Sequence, residues 1–235
     1  MIQGKECLIS LNEVEFLVEK VPVIPKEENV MSDSIAITID NGTVYGKGTV
    51  DLKGYAKFFN TFKLIKANQK SVEDYLQRLL TKGSNKFHLE DYEIACLSDL
   101  YAPITIDYNF TIPDYYRKIG DNIYISLVLD RTMTDALLEN RSVPIENDYK
   151  YINRSIIKLK IPEGYQLKNL PDDLEGTNDN FGFKIQYDRT GSEVVVSREF
   201  YVDYLVMEPD SFESWNSTIS EYAKACRKAL ILSKK

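Results

Sequence analysis

Alternating apolar and polar positions predict strands over most of this chain. The clearest run is Pro103–Ile112, where Ile104, Ile106, Tyr108, Phe110 and Ile112 face one way and Thr105, Asp107, Asn109 and Thr111 the other. Ile35, Ile37 and Ile39 alternate with Ala36 and Thr38. Asp40-Asn41-Gly42 then supplies residues that tolerate positive φ, and Val44–Leu52 returns as the partner of a hairpin. Further strands are expected at Lys5–Leu11, Glu15–Val21, Phe87–Cys96, Ile123–Leu129, Tyr149–Ile161, Phe181–Tyr187, Val194–Val202 and Ala229–Leu232.

The period changes to helical in three places. Tyr55, Phe58, Phe59, Phe62 and Ile65 recur at helical spacing and form one apolar face. A second helix is expected from Ser71, with Asp74 in the reciprocal capping position, a stripe of Val72, Tyr75, Leu76, Leu79 and Leu80, and Gly83 as its stop. Near the C-terminus, Phe212, Trp215, Ile219, Tyr222 and Cys226 make a single stripe. Asp210 is the expected N-cap, with Glu213 three residues on. Thr132–Asn140 is read as one or two helical turns. The fold class is therefore mainly β (α+β): antiparallel sheets or a sandwich, two helices near 55–82 and a C-terminal helix near 210–228.

Composition narrows the function. The net charge of −7 argues against a general binder of nucleic acid or anionic membranes, because phosphate affinity needs clustered lysine and arginine. One histidine cannot build a multi-histidine zinc site, and three cysteines without C-x-x-C spacing cannot build a cysteine-rich one. No metal and no cofactor is expected. No apolar run reaches the roughly 18 residues that cross a bilayer, so no membrane insertion is expected. Sixteen tyrosines and ten phenylalanines against one tryptophan suit half-buried pleated surfaces.

Catalytic constellations are thin. His88 and Cys96 fall on one strand at an even separation, but roughly 26 Å apart at ~3.3 Å per residue. Acid pairs such as Glu27-Glu28 and Asp172-Asp173 sit in turns, where solvation explains them. Gly46-Lys47-Gly48 lies inside a strand and marks a bulge or a close backbone approach rather than a phosphate loop. The least bland feature is a set of aromatics beside loops: Tyr115, Tyr116 and Arg117 after the best strand, and Tyr149 and Tyr151 at the start of another. Such residues can stack on a sugar or clamp a peptide, so a carbohydrate- or peptide-binding sandwich is the alternative function.

Three stretches carry a family resemblance. They are Asp40-Asn41-Gly42-Thr43-Val44-Tyr45-Gly46 with Lys53-Gly54-Tyr55-Ala56, then Arg141-Ser142-Val143-Pro144, then Ile161-Pro162-Glu163-Gly164-Tyr165 with Leu170-Pro171. From about Gly4 onward the chain resembles the C-terminal region of bacterial transglutaminase-like proteins, whose domains of unknown function flank a transglutaminase core. The resemblance implies that residues 1–25 are the end of a preceding core plus a connector; the rest is read as a β module with two helices at 26–147 and a small sandwich with the C-terminal helix at 148–235. It also implies that no catalytic residue carries over, since neither Cys7 nor His88 matches that family's active site. On this reading the chain is not an enzyme. It is an accessory module whose partner is the transglutaminase-like catalytic domain of a longer protein, in an extracytoplasmic location.

Overall fold

The computed structural model describes residues 2–235. In chain order the elements are β1 (Glu6–Ser10), β2 (Phe16–Lys20), β3 (Val30–Asp40), β4 (Thr43–Leu52), α1 (Tyr55–Leu64), α2 (Gln69–Leu80), β5 (His88–Ala95), β6 (Ile104–Ile112), β7 (Arg117–Ile119), β8 (Asn122–Ile125), β9 (Ile145–Glu146), β10 (Tyr151–Lys160), β11 (Tyr165–Asn169), β12 (Leu174–Thr177), β13 (Phe181–Thr190), β14 (Glu193–Val202), β15 (Val206–Met207), α3 (Phe212–Cys226) and β16 (Leu230–Lys234). Among the described residues the chain is mainly β with three α-helices, as its periodicity predicts.

Eight strands form the dominant sheet, in the order β12-β13-β14-β10-β3-β4-β6-β5. All neighbours are antiparallel except β10 and β3, which run parallel with Ile157 opposite Ile35. This sheet takes strands from both sides of residue 147, and β3 of the 26–147 segment pairs directly with β10 of the 148–235 segment. Its inner face carries Ile35, Ile37, Val50, Ile106, Leu159, Val196 and Phe200, all in one hydrophobic core. Over that face lie α3 against β12 and β13, and α2 against β5. A second sheet, β11-β16-β8-β7, adds Ile123, Ile125, Leu230 and Leu232 to the same core. β1 and β2 pair only with each other, and every residue of this hairpin except Cys7 is exposed.

Local chemistry explains several details. Asn41 and Gly42 both take positive φ, the geometry a two-residue hairpin turn needs. Gly46 and Gly48 lie directly across from Phe110 and Tyr108, whose rings fold over the β4 backbone. A Cβ on Gly46 would sit 2.1 Å from the Phe110 ring, and one on Gly48 would sit 2.4 Å from that of Tyr108. These glycines mark a close approach and not a bulge. Gly48→Ala is therefore expected to destabilise by roughly 1–3 kcal/mol, because the ring it displaces is held on all sides. Urea unfolding measures this, and an unchanged midpoint would mean that the Tyr108 ring does not cover β4.

Three local expectations are corrected. α2 is capped by Asn68, whose side chain accepts from the Ser71 amide at 2.9 Å, so Ser71 lies inside the first turn. α3 starts at Phe212 without a side-chain cap, because Pro209 opens a 3-10 turn that takes up Asp210. Residues 132–140 form turns held by Asp130 and Arg131 and contain no helix.

Candidate functional site

The apolar face of α1 points away from the sheet. Phe58, Phe59, Phe62 and Ile65 are exposed, Phe58 by 48% and Phe62 by 68%, while the buried residues of the helix are Asn60 and Leu64. The inner face works because its polar groups are satisfied: the Asn60 amide donates to the Ala56 carbonyl, and Tyr75 on α2 donates to Asn60 Oδ1 at 2.9 Å. With that side closed by α2, the aromatic side stays largely open among the described residues, with Tyr149 against Tyr55 and Phe59.

The ridge is firmly placed. Gly54, at positive φ, starts α1 where a Cβ would meet the Glu28 carbonyl at 2.1 Å. Buried Asn29 accepts from the Tyr55 amide at 3.0 Å and donates to the Lys150 carbonyl at 2.9 Å. One side chain thus fixes the start of α1 beside the start of β10. Tyr149 consequently stacks on Tyr55 at 5.1 Å and on Phe59 at 5.9 Å. Phe58 meets Phe59 and Phe62 edge-on at 5.5 and 4.8 Å.

The five residues singled out from sequence do not form one site. Tyr115 donates to the Ser126 carbonyl, and Tyr116 accepts from the Gly42 amide at 2.8 Å, pinning the β3–β4 turn. Arg117 opens β7 and is exposed. Tyr149 and Tyr151 lie beyond the opposite end of that hairpin, with ring centres 5.9 Å apart. Burial raises the Tyr151 hydroxyl, which donates to Met133 Sδ. Ten residues of β4 separate the two groups, roughly 30 Å at 3.3 Å per residue. Only Tyr149 joins the ridge.

A second unusual feature lies in the core. Lys82, in the loop after α2, reaches Asp33 on β3 and the Tyr108 hydroxyl, and Tyr108 also donates to Asp33 at 2.8 Å. Arg198 on β14 pairs with Asp130 at 2.6 Å and donates to the Tyr222 hydroxyl at 2.7 Å. Asp33, Ser155 and Arg198 form one row across β3, β10 and β14. Asp33 and Arg198 occupy inward positions in strands whose other inward residues are apolar, which is the signal sequence reasoning passed over. Two cations face two carboxylates here, so the cluster balances its own charge.

The carboxylates with displaced pKa are all lowered. Backbone amides of Ala102 and Tyr101 lower Asp99. Burial opposes ionisation of Asp130 and Asp203, but Arg198 outweighs it at the first, and Lys150 with Lys26 at the second. The raised acid that a carboxylate hydrolase needs is not among them. Burial pushes the Cys226 thiol up, away from nucleophile chemistry. Cys96 is exposed just past one end of β5, and His88 begins the other.

Residues 121–232 match the family described as Domain of Unknown Function with solved-structure structure (DUF3858). The matched stretch begins just before β8 and ends within β16, so it includes Tyr149, Arg198 and Trp215, while α1 precedes it. No curated protein matches the chain. Among solved structures, a putative protease from Parabacteroides distasonis ATCC 8503 is similar at 18% identity and a TM-score of 0.37, over 43% of this chain and 20% of its own. The likeness thus spans about a fifth of that protein.

Proposed function

We propose that this chain is a non-catalytic interaction module that makes its contact through the α1 ridge. The observation that supports it is the outward face of α1: Phe58, Phe59, Phe62 and Ile65 are exposed while Asn60 and Leu64 take the inward positions. An apolar patch of this kind marks an interaction surface more often than a solvated one. The ionisable groups in the core, by contrast, neutralise one another: Lys82 pairs with Asp33 and Arg198 with Asp130. In a longer protein the module would hold a neighbouring catalytic domain, transglutaminase-like on the resemblance, against the surface that the ridge contacts.

The double variant Phe58→Ser/Phe62→Ser tests the assignment. Because neither ring is part of the core, its stability is expected to stay within about 1 kcal/mol of the parent chain. A buried phenylalanine truncated in the same way would cost roughly 3–5 kcal/mol. A loss of that size in thermal unfolding would make the ridge structural and overturn the reading. Peptide hydrolysis or crosslinking by the chain, abolished by Cys7→Ala, would overturn its non-catalytic half.

A further inference from the structure

We propose that the α1 ridge docks on an anionic lipid surface, with its rings in the headgroup boundary and the lysines around it on lipid phosphates. The inference rests on the ridge being a contact surface and names what it contacts. Net negative charge set an expectation against such a partner, but the charge is unevenly spread. Between Lys53 and Lys70 there are five lysines and no acidic residue, in a chain of net charge −7; Lys53 pairs with Glu28, so the cations open to a partner are Lys63, Lys66 and Lys70. That run contains every ridge residue except Tyr149.

The placement of the lysines matches an interfacial helix. Lys63 and Lys66 follow Phe59 and Phe62 by four residues, so each stands one turn along from an exposed ring on the same side. Lys63, Lys66 and Lys70 are exposed and enter no ion pair among the described residues. Their aliphatic stems can lie along apolar surface while the ammonium groups reach phosphate. Lys57 donates to the carbonyls of Asp99 and Ala102. This ties the β5–β6 loop to the helix, and its Leu100 and Tyr101 are exposed by 85% and 95% beside Phe58. Two elements therefore present apolar side chains together.

The ring geometry favours lipid over a nucleic acid strand. Phe58 and Phe62 pack on each other edge-on, with ring planes at 77°, rather than standing apart to receive bases. A lipid boundary needs only apolar area flanked by cations, here Lys63, Lys66 and Lys70 from the end of α1 to the start of α2, and each lysine near an anionic membrane adds favourable binding that salt screens.

Co-sedimentation with sucrose-loaded vesicles tests this with the whole chain. The chain is expected to bind vesicles of phosphatidylcholine mixed with phosphatidylglycerol at least about tenfold more tightly than phosphatidylcholine alone, and to be released by high salt. Phe58→Ser/Phe62→Ser and Lys63→Glu/Lys66→Glu are each expected to lose about tenfold or more, with circular dichroism unchanged. No binding to the mixed vesicles, or equal binding by both variants, would overturn the proposal. If the Phe58→Ser/Phe62→Ser variant keeps its melting temperature while the parent chain ignores vesicles, the lipid assignment fails and the contact surface stands. Salt-sensitive binding to single-stranded DNA without vesicle binding would likewise overturn it.

Discussion

Asp130→Ala is expected to destabilise the chain by about 3–5 kcal/mol, because it strands a buried cation. The Arg198 side chain is only 1% exposed, and Asp130 supplies its carboxylate. Arg198 Nε still donates to Tyr222, but Nη2 already has no partner among the described residues. Removing Asp130 would leave the guanidinium with one hydrogen bond in an apolar interior. Replacing both partners, as Asp130→Ala/Arg198→Met, is expected to recover most of the loss, since the desolvation cost disappears with the charge.

The same pair sets a pH dependence. Burial disfavours the Asp130 anion, but Arg198 and the Thr132 amide and hydroxyl outweigh it and hold the carboxyl below the ordinary range. A carboxyl lowered on folding contributes stability above its unfolded value of about 3.9, and that contribution is lost as pH falls through the folded value. Asp203, lowered between Lys150 and Lys26, acts with the same sign. Urea unfolding at neutral pH and at about pH 3 or below should show the parent weakening in acid, and Asp130→Ala weakening less. A neutral-pH cost under about 1 kcal/mol would mean that water reaches Arg198.

Strands were legible wherever one face meets the core and the other water, as at Ile104–Ile112 and Val194–Val202. Pairing direction was not. β10 has the same alternation whether its neighbour β3 runs parallel or antiparallel, and no turn links the two. The short strands β7, β9, β11, β12 and β15 are too brief for periodicity to register. α1 shows a different limit. Spacing establishes that Tyr55, Phe58, Phe59 and Phe62 share a face, but not which way that face turns. The direction follows from Asn60 finding Tyr75, a contact between two helices that neither helix encodes alone. The lysine run around the ridge was visible in the sequence, and total charge obscured it. The buried ions were hidden for another reason: Asp33, Lys82, Asp130 and Arg198 come from distant segments, and only the inward parity of Asp33 and Arg198 hinted at them.

The α3 stripe carries the other large effect, and Trp215→Ala is expected to cost about 3–5 kcal/mol. Trp215 is 3% exposed and meets Phe181 on β13 edge-on at 5.0 Å, with Phe200 on β14 at 6.3 Å and Tyr204 at 6.1 Å. Its indole Nε1–H donates to the Ala136 carbonyl at 2.6 Å, tying the turns at 132–138 to the helix. Truncation therefore opens a ring-sized gap between helix and sheet and also leaves a carbonyl unpaired. Trp215→Phe separates the two losses: it keeps most of the packing and forfeits the donor, for about 1–3 kcal/mol. Because this is the only tryptophan, the parent's fluorescence should shift to the red on unfolding, whereas the variants must be followed by circular dichroism. An unchanged melting temperature in Trp215→Ala would mean that α3 does not bury its stripe on β13 and β14. A Phe variant as damaged as the Ala variant would place the stabilisation in the hydrogen bond to Ala136 and not in the ring.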